Sequence, residues 1–184
     1  MPDLILLNGP PGIGKSTLAR LFADRHPGTL NLDVDQVRCL IGGWQQDFQS
    51  AGELVRPIVR SMAATHLAVG RNVIMPQFFD LDHEIADLRG LAEETGSSFR
   101  EIVILDTKGR SLTRFTNRGS DENLPWHDQV RKIVDQGGGP LLLEAMYDAL
   151  VAGLSRRPSA TLIHSTHGAI EETYAALTDA LAPS

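Results

Sequence analysis

Apolar residues along this chain recur in two rhythms. Short unbroken runs of four to six alternate with longer stretches in which they return every three or four positions. The first rhythm marks strands buried on both faces, and the second marks helices that cover them. Read this way, residues 3–8 form a strand and 15–25 a helix that closes before Pro27-Gly28. Residues 29–33 form a second strand, followed by a short helix through Val37 and Leu40 to the Gly42-Gly43 stop. Leu54, Val55, Ile58, Met62 and Leu67 define a helix over 51–69, with Pro57 inside it predicting a kink or a late start. A strand at 72–75, a helix at 80–95 and a strand at 102–106 come next. Helices at 109–118, 126–135 and 140–154 then precede a last strand at 160–164 and a closing helix at 168–181. The alternation predicts a three-layer α/β/α fold around a five-stranded parallel sheet, occupying residues 1–184 as one domain. In such sheets ligands bind beyond the carboxyl ends of the strands, so the residues after each strand carry the chemistry.

The first of those positions is the most specific. Gly9-Pro10-Pro11-Gly12-Ile13-Gly14-Lys15-Ser16-Thr17 links the first strand to the first helix. This is the phosphate-binding P-loop pattern in its proper strand–turn–helix setting. Gly9, Gly12 and Gly14 let successive N–H groups converge on an anion, and the helix that follows adds its positive end. Lys15 is placed to reach the β- and γ-phosphates, and Ser16 to ligate Mg²⁺. The chain is therefore expected to bind a nucleoside triphosphate, with residues 9–17 as the binding loop.

After the second strand comes Asp33-Val34-Asp35-Gln36-Val37-Arg38. A carboxylate here can take the proton of an attacking hydroxyl, and Asp35 is the favoured base. Asp33 ends the strand or assists Mg²⁺. Arg38 lies one helical turn beyond Asp35, on the same face, where it can orient the acid or bind an acceptor phosphate. Helix N-capping is the structural alternative for both aspartates.

The loop together with Asn31-Leu32-Asp33-Val34-Asp35-Gln36-Val37-Arg38 resembles the branch of small P-loop kinases, grouped with the AAA domains, that contains the polynucleotide 5′-kinases. Chloramphenicol phosphotransferase, zeta-type toxins and small sugar kinases share that branch. The resemblance is close over residues 1–40 and loose to about residue 135, through the strand order and Arg114-x-x-x-Arg118-Gly119. It implies an adenylate-kinase-like fold with a helical lid at about 109–135, and ATP as donor. It implies that Asp35 is the general base and that Arg38 contacts the acceptor. Arg110, Arg114 and Arg118 recur every four residues, and Arg114 and Arg118 resemble the lid arginines that close over a triphosphate. The chain departs from the polynucleotide kinases after its third strand. Where those carry an Asp-Thr-type turn, this sequence has Met75-Pro76-Gln77-Phe78-Phe79. Gln77 cannot ionise, while Phe78 and Phe79 are expected to wall an acceptor pocket, with Trp44 and Phe48 as further candidates.

Composition narrows the acceptor. The 184 residues carry a net charge of −6, and a long polyanion usually binds a basic surface. A small-molecule acceptor is thus favoured over nucleic acid; an antibiotic, a nucleoside and a sugar all fit. A switch or ATPase without an acceptor, and a toxin-like kinase acting on a nucleotide sugar, are the other classes. With a single cysteine, Cys39, no leader and no apolar run of membrane-spanning length, a cytoplasmic protein is expected. The histidines form no pair with metal-ligand spacing. Among them, His127 reads as exposed, and Ser165-Thr166-His167-Gly168 reads as a segment beside the nucleotide base. Oligomeric state has no signature in the sequence.

Overall fold

A computed structural model describes residues 1–117, 125–166 and 168–182. Five strands and eight helices alternate within them: β1 (Asp3–Asn8), α1 (Lys15–Arg25), β2 (Leu30–Asn31), α2 (Val34–Arg38), α3 (Phe48–Ala68), β3 (Val73–Pro76), α4 (Asp82–Glu94), β4 (Ser98–Leu105), α5 (Lys108–Thr116), α6 (Pro125–Gln136), α7 (Pro140–Leu154), β5 (Thr161–His164) and α8 (Ile170–Leu181). All strands are parallel, in the order β2-β3-β1-β4-β5. The chain leaves the central strand β1 towards β2 and β3 on one side and returns to β4 and β5 on the other. The crevice beyond the end of β1 is therefore where an open α/β sheet exposes a ligand site.

Alternate residues of each strand feed opposite faces of the sheet. Leu4, Val73 and Met75 meet Val55, Val59, Ala63 and Leu67 of α3 and Leu91 of α4. Ile5, Leu7, Ile74, Ile102 and Ile104 meet Leu18 and Phe22 of α1 and Tyr174 and Leu177 of α8. This is the three-layer α/β/α arrangement that the alternation of elements predicts. Two smaller clusters extend it: Leu150 of α7 covers Val103 and Leu105, and Phe115, Val134 and Leu143 tie α5, α6 and α7 together.

Three elements depart furthest from the pattern. β4 starts at Ser98 rather than at residue 102, because Ser98–Glu101 pair in register with Asp3–Leu6; the charges of Arg100 and Glu101 hide those strand positions. β2 is only Leu30–Asn31. α3 starts at Phe48, where the Asp47 carboxylate accepts the Ser50 N–H at 2.9 Å. It runs on through Pro57, which sits on the exposed side of the helix, so water can reach the carbonyl one turn back.

Candidate active site

The loop between β1 and α1 has the backbone its glycines predict, with φ of 152° at Gly9, 81° at Gly12 and 106° at Gly14. Ile13 points inward, 3% exposed, and pins the loop to the core shared with α1. Gly14 precedes α1 without a side-chain cap, which leaves the first-turn N–H groups of the helix directed at the loop. The Lys15 ammonium arches back over it, donating to the Gly9 carbonyl at 2.7 Å and the Pro10 carbonyl at 3.1 Å.

Two clefts meet at this loop and share Gly12 and Gly14. The larger, about 640 Å³, lies between the start of α1, helix α5 and the segment joining β5 to α8; Leu18, Thr113, Asn117, Thr166 and Ile170 are among its walls. Ser165, Thr166 and Gly168 reach it from the segment singled out in the sequence, whereas His167 lies outside the described residues. Arg114 also reaches it. Its side chain is 9% exposed and paired with Asp106 at 2.9 Å. It donates to the Ile13 carbonyl and to both Oγ and the carbonyl of Ser165, each at 3.2 Å. Through these bonds Arg114 ties the P-loop to the β5–α8 segment while lining the larger cleft. Arg110 is the exposed member of the row, 3.8 Å from Asp106. Arg118, Gly119 and most of the expected lid tip lie outside the described residues.

The smaller cleft, about 220 Å³, opens on the other side of the loop. Lys15 and Ser16 line it together with Asp35, Arg38, Gln77 and Phe78. Asp33 caps α2: its Oδ1 accepts the Asp35 N–H at 3.1 Å, while its buried Oδ2 has no hydrogen-bond partner among the described residues. Capping by Asp33 leaves the Asp35 carboxylate directed elsewhere. Arg38 Nη1 donates to Asp35 Oδ1 at 2.6 Å, in a pair with side-chain exposures of 11% and 23%. The Phe48 ring lies beneath the Arg38 guanidinium at 3.9 Å. Arg38 is thus placed to aim the carboxylate, the first of the two roles its spacing suggests.

The aromatic candidates divide. Phe78 and Phe48 line this cleft, but Phe79 turns to a groove with Val59, Leu88 and Leu91, and only its backbone stays near the site. Trp44, 9% exposed, packs on Ala51 in a separate cluster. On the remaining side stand His127 and Val130 of α6 and Met146 of α7. Sequence reasoning missed these three, and placed His127 in solvent, because only the folding of α6 and α7 against the sheet brings them here.

Cys39 follows Arg38 directly. Burial, with the Asp35 carboxylate as a further cause, pushes its thiol above the usual range. Less thiolate is then present at a given pH, so alkylation by iodoacetamide at pH 8 should run slower than that of glutathione. Asp35→Asn, which removes part of the cause, should raise the rate.

Comparison with known proteins places this site in context. Residues 4–125 match the family model described as an AAA domain. The fold is similar to that of an inferred kinase from Chloroflexus aurantiacus, at 17% identity and a TM-score of 0.67, covering 98% of this chain and 96% of that one. It is similar to the Deinococcus radiodurans tunicamycin resistance protein, at 16% identity and a TM-score of 0.61, over 100% of this chain and 96% of that one. A gluconokinase from Sinorhizobium meliloti aligns at 13% identity and a TM-score of 0.58, over 98% and 95%. No curated protein sequence matches the chain. At these identities the structural likeness speaks to the fold.

Proposed function

The chain belongs to the AAA domain family, and on that footing we propose that it is an ATP-dependent kinase transferring the γ-phosphoryl group to a hydroxyl of a small-molecule acceptor. The observation that carries this reading is the pair of clefts joined at one P-loop, the second of them holding an arginine-aimed carboxylate opposite Lys15 and Ser16. A site that only hydrolysed or sensed a nucleotide has no need of the second cleft.

In this reading the nucleoside lies in the larger cleft, held by a wall that Arg114 ties to the loop. The amides of residues 9–17 and Lys15 neutralise the diphosphate that leaves. Asp35 orients the acceptor hydroxyl and takes its proton, with Arg38 keeping the carboxylate aimed. Ser16 and Asp33 would hold Mg²⁺, and the partnerless Asp33 Oδ2 fits a carboxylate that reaches the ion or its water. When bound, Mg²⁺ neutralises charge on the phosphate oxygens. Arg118 remains a proposed transition-state contact.

The size of the second cleft and its walls of Phe48, Phe78, Val130 and Met146 favour a small, partly apolar acceptor over a polynucleotide end. The acidic net charge argues the same way, and the likeness to a gluconokinase is in keeping with a small hydroxylated acceptor. The test is ADP release from Mg²⁺-ATP against nucleosides, sugars, hydroxylated antibiotics and 5′-hydroxyl oligonucleotides. Turnover that rises with one class identifies the acceptor. Slow release that no acceptor alters would overturn the kinase reading in favour of a nucleotide switch.

A further inference from the structure

Behind the smaller cleft lies a buried polar chain that the mechanism above does not use. Asn8, at the end of β1, is fully buried, and its carboxamide is spent at both ends. Its Oδ1 accepts the N–H of Gly9 at 2.8 Å and of Phe79 at 3.1 Å. Its Nδ2 donates to the Phe79 carbonyl at 2.8 Å and to Glu101 Oε1 at 3.2 Å. One side chain therefore stands in for a strand partner, holding both backbone groups of Phe79 while touching the first amide of the P-loop. Gln77 and Phe78, the two residues before Phe79, line the acceptor cleft.

Asn8 is itself held. Glu101, 3% exposed on β4, also accepts from Arg157 Nη1 at 2.5 Å, and Arg157 is 7% exposed. Arg157 reaches back to the carbonyls of Gly153 and Leu150 at the end of α7. It lies so close to Gly153 that a Cβ there would stand 2.7 Å from Nη2. A buried ion pair contributes little net stability compared with apolar residues of similar volume. Glu101 Oε2 is moreover without a hydrogen-bond partner among the described residues, which raises the cost of keeping the pair. What the arrangement does supply is a fixed distance. The carboxylate forces the amide end of Asn8 to face it, and so sets which end of the carboxamide meets each group of Phe79.

We propose that Asn8 is a positioning residue that holds the acceptor-facing turn, residues 77–79, at a set distance from the P-loop, with Glu101 and Arg157 fixing the orientation of its carboxamide. Its consequence for turnover rests on the kinase reading; its consequence for the turn does not. Asn8→Asp keeps the size and the acceptor oxygen but removes the donor to Phe79 and Glu101, and sets two carboxylates against each other. Adding Glu101→Gln restores a donor between the two side chains and leaves an oxygen for Arg157.

The protein labelled with 4-fluorophenylalanine reports the turn directly by fluorine NMR, with the Phe78 signal assigned through Phe78→Leu. Asn8→Asp is expected to displace the Phe78 and Phe79 resonances while leaving that of Phe22 in place, and the Asn8→Asp/Glu101→Gln pair to return them part of the way, since the Phe79 carbonyl still lacks its donor. Asn8→Ser, uncharged and smaller, gives the same readout if the aspartate variant does not fold. With whichever acceptor the wild type phosphorylates, Asn8→Asp should lower kcat about 100-fold, the scale of a misplacement near 1 Å, with ADP affinity retained and partial recovery in the double variant. Resonances that do not move, or that move without recovery in the pair, overturn the proposal. A wild type that phosphorylates nothing overturns the kinase reading instead, and the fluorine result still decides the role of Asn8.

Discussion

Replacing Asp35 by asparagine is expected to lower acceptor-dependent turnover by about 10²- to 10⁴-fold, the usual contribution of a positioned general base. The change is nearly isosteric, and the new carboxamide oxygen can still accept from Arg38. The cleft should therefore keep its shape and ADP its affinity. The bland explanation of Asp35, that it caps α2, is weakened by the structure: the capping carboxylate is that of Asp33, bonded to the Asp35 N–H at 3.1 Å. What Asp35→Asn removes is the charge and the proton acceptor beside Lys15 and Ser16. Steady-state kinetics should show the loss in kcat with the nucleotide KM unmoved. Turnover that survives the substitution would remove Asp35 from the proton-transfer role and return it to shaping the cleft.

The second large effect concerns the loop itself. Gly9→Ala should cost several kcal/mol of stability and abolish nucleotide binding. A Cβ at Gly9 would stand 2.5 Å from the Ile104 carbonyl oxygen and 3.1 Å from Ile13 Cγ2. The first obstacle is backbone of β4, held in the sheet, and cannot move aside as a side chain tip would. The φ of 152° adds a conformational penalty of about 1–3 kcal/mol for any residue with a side chain. Overpacking of this kind adds about 1–3 kcal/mol more, against a total stability of about 5–15 kcal/mol for a domain. Gly14→Ala is the internal control, since a Cβ there meets nothing within 4 Å among the described residues and carries the penalty of φ at 106°. Urea denaturation should separate the two variants by their midpoints. Equal destabilisation would mean that the contact with β4 relaxes freely.

Legibility in the sequence followed the range of the forces involved. β1, β3 and the second half of β4 are buried on both faces, so their residues form apolar runs that need no partner to be recognised. The P-loop is equally local: glycine spacing and a lysine at the start of a helix dictate its backbone. Pattern failed where a strand carries charge for a tertiary reason. Arg100 and Glu101 belong to β4, yet Glu101 is there for Arg157, 56 residues further on. It failed too at Phe79, because whether a side chain after a strand turns into a cleft or away from it depends on which helix packs beside it.

By itself, then, the sequence determined the element order, the phosphate loop and the placing of Asp33, Asp35 and Arg38 after the second strand. Each of these follows from backbone preferences and burial over a few neighbouring residues. Only the tertiary structure decided that Asp33 caps α2 while Arg38 pairs with Asp35, that Arg114 is buried against Asp106, and that His127, Val130 and Met146 line the smaller cleft. It also decided that Asn8, one polar residue ending an apolar strand, stands between the loop and the turn. Those outcomes depend on contacts between segments tens of residues apart, and the pairing of such segments is settled by packing of the whole core rather than by any local rhythm.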